Sequence, residues 1–114
     1  MALVRPFPAL RPLPAKVAEI ASVPYDVVNT EEARALVRDH PWSFLHIGRA
    51  EIDLPAGTDV HSDAVYRQAA DNFNHWRRKC PLIQEETASF YLYRLQMGDH
   101  CQTGLVACFS IDEY

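Results

Sequence analysis

The sequence predicts an α+β fold: a mixed sheet with two main helices and a C-terminal β-hairpin. Three observations lead there. Ser62 to Lys79 is a long amphipathic stretch, two β-rich runs flank Met97-Gly98-Asp99-His100, and strand-like and helix-like segments alternate before them. With 114 residues, 48% of them apolar and 11% aromatic, the chain has the material for one core.

Taken in order, Leu3 to Pro12 is interrupted by prolines that break helices and withhold ladder donors, so an edge strand or extended arm is expected. Ala15 to Ala21 is long enough for a short helical turn, which Pro24 ends before the tight, extended connection Pro24-Tyr25-Asp26-Val27-Val28. Asn29 or Thr30 can cap a helix whose first turn holds Glu31 and Glu32, where carboxylates meet the positive pole of the helix; it should run to about His40 and stop at Pro41. Ser43-Phe44-Leu45-His46-Ile47, apolar on both faces, reads as a covered central strand. Glu51 to Asp59 reads as a loop.

Ser62 then caps the longest helix, on which Val65, Ala69, Phe73 and Trp76 fall within roughly an 80° arc while Arg77-Arg78-Lys79 closes the last turn. Phe90 to Leu95 and Gln102 to Ser110 are the two arms of the hairpin. The chain stops directly after a strand, so it is expected to be the truncated front segment, residues 1–114, of a longer protein.

Composition narrows the function classes. A formal charge of −4 disfavours nucleic acid as a partner. No stretch has the apolar length of a membrane helix, and the odd set Cys80, Cys101 and Cys108 lacks paired spacing, so free thiols and a cytoplasmic location are expected. The four glycines are dispersed, which excludes a phosphate-cradling loop signature. His61 and His75, on one helix face, would stand about 21 Å apart and share no ion.

Two places carry candidate chemistry. Pro24-Tyr25-Asp26 sets a phenol and a carboxylate in a stiff connection, where Asp26 serves as general base or metal ligand, or else accepts backbone N–H bonds in a turn. At the end of the expected strand, Ser43, His46 and Arg49 precede Glu51-Ile52-Asp53; if that loop is extended, Glu51 and Asp53 share a face and suit magnesium. The other reading is a core imidazole followed by a solvated acidic loop. Both readings stand at this stage.

Several blocks resemble one family in order and spacing. Arg5-Pro6-Phe7-Pro8-Ala9-Leu10-Arg11-Pro12, Pro24-Tyr25-Asp26-Val27-Val28, Ser43-Phe44-Leu45-His46-Ile47, Glu51-Ile52-Asp53-Leu54-Pro55, Tyr91-Leu92-Tyr93-Arg94 and Gln102-Thr103-Gly104-Leu105 are similar to the family called domain of unknown function 1015. One departure is Cys80-Pro81, where a glycine is expected after the long helix.

The resemblance implies a bacterial or archaeal cytoplasmic protein several times this length. Its members continue beyond the position of Tyr114 into a His-Glu motif and an Asp-Gly-His-His-Arg motif. The second is similar to one in free-serine kinases related to the ParB and sulfiredoxin fold. By that analogy the chain is expected to be part of a nucleotide-dependent small-molecule kinase or phosphotransferase, inactive as an isolated segment, working with ATP or ADP and magnesium on a small-molecule ligand. Asp26 is then the catalytic candidate, Tyr25, Ser43, His46 and Arg49 the substrate or phosphate contacts, and Glu51 and Asp53 the metal ligands. The alternative is a non-catalytic ParB-like module that recognises a nucleotide or nucleic acid.

Overall fold

The computed structural model describes residues 2–112, in two compact units: residues 2–11 with 83–112, and residues 12–82. The fold is α+β. Its strands form three two-stranded sheets, β1 (Val4–Arg5) with β6 (Cys108–Phe109), β2 (Leu10–Pro12) with β3 (Leu82–Gln84), and β4 (Tyr91–Met97) with β5 (His100–Val106). β1–β6 and β4–β5 are antiparallel, as is the bridge between Phe7 and Ser89.

In the unit that holds the chain's first residues, β4 and β5 form the expected hairpin, with Met97 opposite His100 and a two-residue turn between them. Gly98 takes φ 58°, the left-handed backbone that the first turn position requires and that a side chain resists. The arm before β2 is tied to β4 by one side chain. The Tyr91 hydroxyl accepts the Ala9 N–H at 2.9 Å and donates to the Phe7 carbonyl at 3.0 Å, and the Phe7 and Tyr91 rings lie 5.2 Å apart. Arg11 pairs with Glu85 and lies over the Tyr91 ring, which makes it a structural cation.

The other unit is helical. α1 (Val17–Ile20) is the short expected turn, and α4 (Asp63–Lys79) matches the long amphipathic stretch, with Val65 and Trp76 buried. In α2 (Thr30–Leu36) the Asn29 side chain accepts the Glu32 N–H at 2.8 Å, a side-chain cap of the kind the sequence predicts. This helix ends before His40, because Val37 already leaves helical geometry at ψ 0° and Pro41 bars its neighbour from the helical region.

The expected central strand is corrected. Residues 45–48 are α3 (Leu45–Gly48), and no strand runs through Ser43–Ile47. Ser43 is buried and its Oγ accepts the Leu45 N–H at 3.3 Å, so a hydroxyl that starts a helix replaces a ladder partner. With no central strand, no single mixed sheet forms. The core of this unit is Ala33, Leu45 and Ile52, with Val28 and Val37 packed on it. The Trp76 Nε1–H donates to the Trp42 carbonyl at 3.1 Å and its ring meets Phe44 edge-on.

Among the described residues no helix is long and apolar enough to cross a membrane. The three cysteines are free, Cys80 buried and Cys101 and Cys108 exposed. Burial, helped by the nearby Glu19 carboxylate, raises the Cys80 thiol above its ordinary value of 9.0. Unfolding therefore releases a more acidic thiol: its contribution to stability is intact below the ordinary value and is lost as pH rises from there toward the folded one. A thiol reagent at neutral pH should label Cys101 and Cys108 rapidly in the native protein and Cys80 only on unfolding. Equal labelling rates for all three would refute this packing.

Candidate functional site

After α3 the chain tightens into a 3-10 turn, Ala50–Asp53, whose acidic residues are carried back toward the helix that precedes them. Arg34 of α2 holds this turn. Its Nη2 donates to the carbonyls of Glu51 at 3.2 Å and Leu54 at 2.9 Å, and its Nε to that of Ile52 at 3.3 Å. One planar guanidinium thus serves three backbone carbonyls, of which that of Glu51 also accepts the Leu54 N–H at 3.1 Å.

Two side-chain pairs result. The His46 Nδ1 lies 2.8 Å from Asp53 Oδ2 and 3.0 Å from Oδ1. Asn72, on α4, fixes both partners, since its Nδ2 donates to Asp53 Oδ2 at 2.9 Å and to the His46 carbonyl at 2.6 Å. Gln68, one helical turn earlier, donates to Asn72 Oδ1 at 2.8 Å. The carboxylate favours the proton on Nδ1, which in the neutral ring leaves a lone pair on Nε2. That Nε2 is enclosed and has no hydrogen-bond partner among the described residues. His46 and Asp53 line a hollow of about 90 Å³ with Trp42, Asn72, His75 and Trp76.

In the second pair, Arg49 Nε stands 3.0 Å from Glu51 Oε1, off the N–H direction, so the contact is ionic rather than a directed hydrogen bond. Thr30 joins them, accepting from Arg49 Nη2 at 3.3 Å and donating to Glu51 Oε1 at 3.4 Å. Glu51 is only 5% exposed, and the arginine is what makes burial of its charge tolerable. Arg49 and Glu51 line another hollow, of about 280 Å³, together with Tyr25.

The residues singled out from the sequence are therefore distributed. His46 with Asp53, and Arg49 with Glu51 and Tyr25, belong to two hollows that share Ile47. Ser43 supports the start of α3 and lines neither hollow. Asp26 lies exposed in the 3-10 turn Tyr25–Val27, lines neither hollow, and enters none of the side-chain hydrogen bonds or ion pairs formed by the described residues. Glu51 and Asp53 sit in a 3-10 turn rather than an extended loop and turn to different partners. Among the described residues no three His, Cys, Asp or Glu side chains converge as a metal site. Asn72 and Arg34 escaped the sequence reading. Asn72 had left a signal, because it follows Val65 by seven positions and so lies on the apolar stripe of α4, where a polar side chain needs a partner.

Against known proteins, residues 4–114 match the family described as "Protein of unknown function (DUF1015)", and the chain belongs to it. No curated protein and no solved structure matches the chain.

Proposed function

We propose that this DUF1015 member supplies part of a cytoplasmic phosphotransferase site, in which a nucleotide donates a phosphoryl group to the hydroxyl of a small metabolite. One observation carries the reading: His46 is held by Asp53 at 2.8 Å on one ring nitrogen while the other has no hydrogen-bond partner among the described residues. That is the arrangement of a positioned general base, a ring with its orienting carboxylate behind it.

In the step, once the side chains that enclose His46 Nε2 admit the metabolite hydroxyl, its O–H bond breaks, its proton passes to Nε2, and the oxygen forms a bond to phosphorus as the nucleotide leaving group departs with the electrons of its own P–O bond. Asp53 steadies the imidazolium that forms. Arg49 keeps Nη1 outside the hydrogen bonds described above, and this N–H pair is offered to an anionic oxygen near Tyr25. Asp26, expected from the sequence as the base, gives way to His46, because the histidine has both an orienting partner and a hollow. The carboxylates here do not fit a magnesium site, being engaged by His46 and Arg49, so no step is assigned to that ion.

The test is phosphorus NMR on the full-length protein with ATP or ADP, magnesium and a pool of hydroxylated metabolites. A new phosphomonoester is expected, and His46→Gln should slow its formation by about 10²- to 10⁴-fold at unchanged melting temperature. Absence of transfer, or undiminished transfer by the variant, would reject the reading. Salt-sensitive DNA or RNA binding in place of transfer would favour the ParB-like module.

A further inference from the structure

The larger hollow has a chemistry of its own. Its lining includes aliphatic Ile47, Val65 and Ala69 and two tyrosines, Tyr25 from the 3-10 turn before α2 and Tyr66 from α4, with the His61 imidazole beside them. Both tyrosines are open to solvent, at 63% and 60% exposure. At about 280 Å³ the space suits one ring system rather than an extended ligand.

Its polar wall is equally particular. Glu51 spends Oε1 on Thr30 and Arg49, whereas Oε2 accepts none of the hydrogen bonds formed by the described residues. Oε2 is not sealed from water, and because a carboxylate oxygen only accepts, a ligand group that meets it brings an N–H or O–H. Arg49 already balances the charge, so the incoming group need not be a cation.

We propose that this cleft binds a flat heteroaromatic ring bearing an amino or hydroxyl donor, stacked against Tyr66 and Tyr25 with its donor on Glu51. A π-face is what exposed tyrosines beside aliphatic side chains recognise, and it distinguishes this occupant from an alkyl chain or a sugar. The assignment uses none of the atoms of the His46–Asp53 pair and stands whether or not phosphate is transferred there.

Adenosine serves as the probe, with its deamino analogue purine riboside and free ribose as comparisons, in saturation-transfer NMR and tyrosine-fluorescence titrations of the protein. Adenosine should bind, with saturation transfer strongest at the ring protons. Purine riboside and the Tyr66→Ala and Tyr25→Ala variants should each weaken binding roughly tenfold, the scale of one stacked ring or one hydrogen bond to a charged group. Both tyrosines are exposed, so circular dichroism and melting of these variants should match the parent. His46→Gln should bind adenosine normally, which separates this assignment from the phosphotransferase reading. Failure of adenosine to bind, equal affinity in both tyrosine variants, or equal binding of ribose would overturn the proposal.

Discussion

Replacing Arg34 with alanine should lower the unfolding free energy by about 2–4 kcal/mol, read as a shift of the urea midpoint at constant slope. The size follows from what the guanidinium does. It serves three carbonyls, of Glu51, Ile52 and Leu54, in a turn that no ladder or helix completes. Removing it leaves acceptors to a shell of water that must enter beside Ile52, a core residue. Arg34→Lys should recover only part of the loss, because a single ammonium cannot present the planar fork that reaches all three oxygens. The effect should also reach the site, since the same turn places both Glu51 and Asp53. A variant with unchanged midpoint would show that the turn holds itself.

The second large effect is expected at Asp53. In Asp53→Asn the amide can donate to His46 Nδ1, which would then act as acceptor and force the ring proton onto Nε2, where it blocks the base. Loss of phosphoryl transfer by about 10²- to 10⁴-fold is expected with little loss of stability, because Asn72 can still donate to the retained side-chain oxygen. Comparison with His46→Gln separates orientation from chemistry. If both variants lose activity equally, the carboxylate acts wholly through the ring, whereas a fully active Asp53→Asn protein would leave the pair without a catalytic role.

How much of this was legible beforehand depended on the range of the interaction. The long helix α4 and the β4–β5 hairpin follow from period and turn chemistry, and Asn29 capping α2 follows from a local preference. Ser43–Ile47 was misread because a short apolar run carries no period long enough to separate a covered strand from a buried helical turn. What decided it was local, the Ser43 hydroxyl accepting the Leu45 N–H, with Leu45 then packing against Ala33 and Ile52.

The site was half visible. His46, Arg49, Glu51 and Asp53 stand out as a run of ionisable groups, but their partnership was not readable, because an extended loop and a 3-10 turn distribute the same side chains differently. The turn returns Asp53 to His46, seven positions earlier, and assigns Glu51 to Arg49. Asp26 drew attention by its stiff surroundings, and rigidity alone gave it no partner. Tyr66 lies beside the apolar stripe of α4 and in a block similar to the family, but only the fold brings it to the cleft that Tyr25 also lines.

The proposed base requires that His46 carry its proton on the nitrogen that faces Asp53. Nitrogen-15 NMR of the imidazole, recorded at a pH where the ring is neutral, reports this directly. A protonated Nδ1 and a bare Nε2 are predicted in the native protein, with the reverse in Asp53→Asn. A neutral ring that holds its proton on Nε2 in the native protein would contradict the base assigned here.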